Sequence, residues 1–459
     1  MKYIKYLIPL LFLLYASSSC RKFIEPAPPI DRLSSDVVFK DVETATSAVI
    51  GMYASMMTTS PFIGSGGVTI YTGLCSDELY NTNTSNATLS EFTSNAISPG
   101  NSVVVANFWQ EGFNIIYHAN ACIEGLENNT YLPIPVRNQL LGEAYLSRAF
   151  IYYYLVSLFG DIPLILKTDY LETQKATRTE SASVYGQIIT DLKNAQALLG
   201  TIYPTNERVR PNKSVATALL ARVYLILRQW ELAEKESSSI INSSEYSLEP
   251  DLNNVFLASS SEAIWQIMPI VEGVNTTEGL TFVPSSWSSG PPSFSLTSYF
   301  LNSIEADDLR KNSWVALKTV EGQDYYYPFK YKIGEYGMPV TEYYMLFRLA
   351  EQYLIRAESF ARQGKIDESK NDVDIIRARA GLSGTAAHTA EELVTAIAHE
   401  RRIELFCEWG ARWFDLKRTK KSTDVLSPIK PGWQPTDTLY PIPIREIKYA
   451  PSLTQNPGY

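Results

Sequence analysis

The chain has 459 residues, a formal net charge of −9 and three histidines. So acidic a surface excludes nucleic acid as a partner, because phosphate binding needs a basic footprint. None of His118, His388 and His399 has another histidine at metal-ligand spacing, which argues against zinc, and four cysteines in so long a chain are no disulfide framework.

Lys2 and Lys5 precede an almost wholly apolar run, Tyr6 to Tyr15, which is followed by Ala16, three serines and Cys20. This is the three-part layout of a secretion signal over residues 1–19, and its apolar run is too short for a mature membrane span. Cys20 directly after small residues resembles the lipobox of bacterial lipoproteins, with Ser17 where such boxes usually hold an apolar residue. The resemblance makes Cys20 a lipidated N-terminus. The proline-bearing stretch that follows, to Asp36, reads as a semi-rigid tether.

Beyond the tether the expected division is 37–250 and 251–459, both built mainly from helices. Leu141, Tyr145, Tyr152, Leu155 and Phe159 predict one helical face over Arg137–Phe159, stopped by Gly160-Asp161 and Pro163. Asn212–Leu227 and Trp230–Ile241 form a second signal, two helices turning at Arg228-Gln229. Phe347–Arg362 and Ile366–Ala380 repeat it around Gly364. Ala149-x-x-Tyr152, Ala221-x-x-Tyr224 and Ala357-x-x-Phe360 each lie shortly before a turn, the small-before-large packing of tetratricopeptide-like hairpins. Their uneven spacing requires loop-rich insertions, and those are where recognition is sought.

Three insertions stand out. Thr58–Val103 carries "YTGLCSDELYNTNTSN"; Val283–Phe300 carries "PSSWSSGPPSF"; Glu321–Tyr336 reads "EGQDYYYPFKYKIGEY". Rings that stack on sugar C–H faces, beside Asp and Asn that bond hydroxyls, suit carbohydrate. The same rings could equally pack their own loops. "GSGG" at Gly64–Gly67 reads as a turn, not a phosphate cradle. There is no G-x-S-x-G elbow, no phosphate-binding G-x-x-x-x-G-K and no dinucleotide G-x-G-x-x-G, so neither an enzyme nor a cofactor is expected.

From Glu391 a helix is predicted through at least Glu408, placing Glu400, Glu404 and Glu408 on one face. Like charges at that spacing cost stability unless cations intervene, and Arg401, Arg402 and Arg412 are the nearest. A carboxylate pair here could be a glycosidase acid and base. An ion-pair network is the favoured reading, because so many arginines sit among the acids.

"ERRIELFCEWGARWFDLKR", the C-terminal "LYPIPIREIKYAPSLTQNPGY", "GEAYLSRAFIYYYLVSLFGDIPLI" and "ATALLARVYLILRQWELAE", together with Cys20, closely resemble the SusD/RagB family of outer-membrane nutrient-binding lipoproteins. The resemblance spans essentially the whole chain. It implies a mostly α fold, a right-handed superhelix of tetratricopeptide-like hairpins supporting a loop-rich half. It also implies a surface lipoprotein that caps a SusC-like TonB-dependent transporter and captures oligosaccharides or polysaccharides without cleaving them. Peptide cargo and a pure protein-interaction scaffold are the alternatives. The matching motifs belong to the scaffold, so the ligand-binding candidates come from loop chemistry and rough position: Asp77, Tyr80 and Asn83 in the early loop, then Trp287, Tyr325 and Tyr326.

Overall fold

The computed structural model describes residues 35–57 and 61–459. The leader, Cys20 and most of the tether lie outside them. Among the described residues no helix is long and apolar enough to cross a membrane.

Seven helices in chain order, each packed on the next, make the body: Glu111–Leu126, Ile134–Phe159, Ser181–Leu198, Lys213–Ile226, Trp230–Ile241, Leu349–Arg362 and Ile366–Arg379. Ala390–Glu404 then lies against Leu349–Arg362. The ends have local causes. Asn212 caps Lys213–Ile226 by accepting from the Ser214 N–H at 2.9 Å, and Thr389 with Glu392 forms a reciprocal capping box on Ala390–Glu404. The two tight turns sit where expected, on Arg228 (φ 59°) and Gly364 (φ 76°), both left-handed.

The central helix differs from its sequence signal. One buried face was expected, yet every residue from Leu140 to Phe159 is buried. Neighbouring helices take two sides, and later segments take the others. Phe150 packs edge-on to Trp265, Phe347 and Trp409, and the Leu158 carbonyl accepts from the Tyr440 N–H at 2.8 Å. Polar groups on this buried helix are matched. Arg148 clamps Asp191 through two bonds of 2.8 and 2.7 Å, and Glu143 accepts from Arg210 and Tyr53.

Two other boundaries move. Phe347 and Arg348 belong to a strand, Tyr344–Arg348, that pairs antiparallel with Ala263–Ile267, so the helix starts at Leu349. The C-terminal helix ends at Glu404, not Glu408. Left-handed Cys407, Trp409 and Gly410 reverse the chain there before the next helix, Ala411–Arg418. Four two-stranded ribbons and further helices, Val42–Met56 and Gly67–Cys75 among them, complete the described fold. One of them, Val315–Val320 with Gln323–Pro328, occupies what reads in sequence as an aromatic loop; Glu321 and Gly322, both at positive φ, form its two-residue turn.

Candidate binding site

The ribbon Leu79–Asn81 with Phe294–Leu296 brings two of the three insertions together, with Tyr80 opposite Ser295. Just past it, Thr82 extends the contact: its N–H donates to the Ser293 carbonyl at 3.1 Å and its hydroxyl to the Pro292 carbonyl at 2.6 Å. Pro284, Pro291 and Pro292 keep the intervening segment out of regular structure, since proline offers no N–H to a ladder.

That segment forms one wall of a cleft of about 450 Å³, lined by Leu280, Val283, Trp287, Pro291, Glu335 and Tyr336 among others. Two glycines allow close backbone approach between the segments beside it. A Cβ on Gly279 would lie 2.4 Å from the Ile333 carbonyl oxygen, and one on Gly334 would lie 2.4 Å from that of Val283, so only glycine permits this approach. Glu335 fastens the rim by accepting from the Ser286 N–H at 2.7 Å, and hydrogen bonding from the Ser286 side chain and then its backbone holds the carboxyl below the ordinary range. On this loop Trp287 is 90 % exposed, and Tyr336, next to Glu335 on the other segment lining the cleft, is 69 % exposed.

The third insertion joins through Lys318, whose ammonium donates to the Ser288 carbonyl at 2.6 Å. Lys318 is directly opposite Tyr325 in its ribbon, and opposed residues share a face, so Tyr325 is on the side of the Trp287 loop. Tyr326 points the other way and packs against the core. Asn83 is exposed in an Asx turn, its side-chain oxygen accepting from the Ser85 N–H at 3.2 Å. Tyr80 is half-buried.

Asp77 has a different role from the one its loop position suggests. It is buried, and its two oxygens accept from Arg412 at 2.7 and 3.0 Å and from Arg402 at 2.5 Å. Burial alone would raise its carboxyl, but the Arg412 bond and the two guanidinium charges hold it below the ordinary range. It ties the early loop to the C-terminal region and leaves no face for a ligand. The residues that sequence reasoning passed over are Lys318, Glu335 and Tyr336. Only Tyr336, a further ring in an aromatic segment, gave a signal.

Glu400 and Glu404 on the C-terminal helix and Glu408 just beyond it lie in a buried network of ion pairs, with partners other than those expected. Glu404 accepts from Arg348 at 2.5 Å, Arg310 at 2.9 Å and Arg379. Glu400 accepts from Arg310 at 2.5 Å and Arg377 at 3.3 Å. Glu408 accepts from Arg348 at 2.8 Å and from Lys330. Arg401 instead pairs with Asp415 at 2.7 Å, while Arg402 and Arg412 serve Asp77. Burial pushes the Glu400 carboxyl up; for Glu404 the arginine charges outweigh burial and drive it well down. Such a split can mark an acid–base pair. Here every carboxylate oxygen of the two is engaged by a guanidinium, and both side chains are closed to solvent, so neither can reach a glycosidic bond.

Comparison with known proteins matches a family described as "Starch-binding associating with outer membrane" over residues 22–225 and the SusD family over 312–459. SusD-like protein P2 of Formosa agariphila is 28 % identical, covering 99 % of this chain and 100 % of the relative. Among solved structures, a SusD superfamily protein from Bacteroides vulgatus superposes with a TM-score of 0.82 at 21 % identity, over 92 % of this chain and 99 % of that one. Surface glycan-binding protein A from Bacteroides thetaiotaomicron, solved with laminarihexaose, superposes with a TM-score of 0.76 at 20 % identity, over 90 % and 99 %.

Proposed function

For a chain that belongs to the SusD/RagB family, we propose capture of a glycan at the cell surface, without cleavage, and its transfer to a TonB-dependent outer-membrane transporter. The observation that carries this reading is Trp287: a large ring, 90 % exposed, on a loop fixed by Glu335 and Lys318 beside a cleft, with Tyr336 on its rim. Exposing so large an apolar surface has a cost in water that ligand contact would relieve. Sugar C–H faces stack on such rings, and Tyr80, Asn83 and Tyr325 supply hydroxyl and amide partners around them. The proposed anchor is lipid on Cys20. A related structure holding laminarihexaose makes that oligosaccharide the first ligand to try.

The test is calorimetric titration of the full-length, detergent-solubilised protein with laminarihexaose and a panel of neutral and acidic oligosaccharides. Saturable binding to one class, weakened about tenfold in Trp287→Ala, is the expected result. Silence across the panel from folded protein refutes free-standing glycan capture.

A further inference from the structure

A second cleft, of about 460 Å³, opens where the end of the central helix, the Asp161–Tyr185 segment, the Ala411–Arg418 helix and the C-terminal tail meet. Its composition runs against the acidity of the whole chain. Arg178, Lys417 and Arg418 line it, with Asp161 as the one lining carboxylate. Arg418 is already neutralised, bonding Glu358 at 2.8 and 2.7 Å and Asp415 at 2.6 Å. Arg178 and Lys417 are not. Among the described residues neither has a carboxylate oxygen within 4 Å.

Both cations bond only neutral acceptors. Arg178 donates to the Asp161 carbonyl at 2.8 Å, to the Thr454 carbonyl at 3.0 Å and hydroxyl at 3.4 Å, and to the Asn456 side chain. Lys417 donates to the Ser157 carbonyl alone, leaving two of its three N–H donors uncommitted. Asp161 accepts from the Ser181 N–H at 2.8 Å and hydroxyl at 2.7 Å, and although its charge acts on Arg178 the two side chains make no ion pair. Lys417 is half-buried, and burial pushes its ammonium down to about 7, so near neutral pH it is only partly protonated and an anion beside it would hold the proton in place. Elsewhere in the fold, buried Arg310, Arg348 and Arg148 are matched by carboxylates, whereas buried Lys430 bonds only the Leu74 carbonyl and the Asn95 side chain. A lysine left unmatched at a cavity wall either gives up its proton, as the lowered value of Lys417 reflects, or is held charged by an anion that joins it.

We propose that this cleft is a carboxylate-binding subsite, in which Lys417 and Arg178 receive the acid group of a small ligand such as a uronic acid. Lys417 supplies the uncommitted donors, and Arg178 holds its guanidinium in place through the tail. The cavity volume falls within the range of small-molecule sites. The site shares no lining residue with the Trp287 cleft and does not depend on the function proposed for it.

The test titrates the full-length protein with glucuronate, with acetate and with glucose, in wild type, Lys417→Met, Lys417→Arg and Trp287→Ala. Methionine keeps the unbranched stem and removes the charge. Saturable glucuronate binding that weakens at least tenfold in Lys417→Met, stays within about threefold in Lys417→Arg and persists in Trp287→Ala is the expected result, with glucose inert. Acetate binding as tightly as glucuronate also supports the subsite and shows that the carboxylate alone is read. Should Lys417→Met fail to fold, Ser181→Glu, which adds an acid at the cleft wall, must weaken glucuronate binding in its place. Binding that Lys417→Met leaves unmoved, equal binding of glucose, or no binding of either carboxylate by folded wild type overturns the proposal.

Discussion

Replacing Glu404 by Gln separates a structural network from a catalytic one. The carboxylate is fully buried and receives Arg348, Arg310 and Arg379. An amide keeps the shape and one acceptor oxygen, but removes the charge that faces three guanidinium groups. Removing one partner from a buried ion pair costs about 3–5 kcal/mol. Glu262, Glu400 and Glu408 still serve these arginines, so the lower end of that range applies. With an unfolding entropy of about 2 cal/mol/K per residue, the whole chain has about 1 kcal/mol/K, and Tm should fall by about 3–4 °C if the body melts as one unit. The assay is differential scanning calorimetry beside glycan titration at 25 °C, where the variant stays folded. Lower Tm with unchanged glycan affinity is the expected outcome. Unchanged Tm, with loss of binding or of any glycan turnover, would refute the network reading and return Glu404 to the site.

Trp287→Ala should leave Tm unchanged, since the side chain is almost wholly exposed, while glycan affinity falls by about tenfold, the scale of a lost ring contact; equal affinity in calorimetry would remove the ring from the site. Burial raises the Glu278 carboxyl to about 7 and that of Glu78 to about 8. A buried acid with a raised folded value gives its full stability below the unfolded value of 4.5 and loses it as pH rises through the folded one, so wild-type Tm should drop between about pH 4.5 and 8. Glu278→Gln should lessen that drop, and an identical drop in both proteins would contradict the assignment. Gly66→Ala should destabilise by more than about 1 kcal/mol in urea unfolding, because Gly66 has φ 81° and its new Cβ would lie 3.1 Å from the Glu278 carboxyl; a neutral effect would show that this turn relaxes.

What the sequence disclosed depends on how far apart the cooperating residues lie. Turns at Arg228 and Gly364 and the stop at Gly160 are local events, written in the residues that make them, and they sit where pattern places them. The counter-ions of Glu400 and Glu404 come from Arg310, Arg348 and Arg379, on other elements of the chain, and no spacing rule reaches that far. Helix geometry did hold one warning: Arg401 and Arg402 are one and two positions from Glu400, and such neighbours do not face each other. The aromatic candidates follow the same logic. Tyr325 and Tyr326 look like a pair in a loop, but in a strand adjacent side chains take opposite faces, which sends one toward Trp287 and the other into the core. Asp77 looked like a loop acid and proved to be the clasp between the early loop and the C-terminal region. Scaffold residues carry the family likeness because packing restricts them at every position. The loop that presents Trp287 is held by backbone bonds from Thr82, Lys318 and Glu335, contacts that many side chains could make, so its chemistry is legible only once the three insertions are seen to meet.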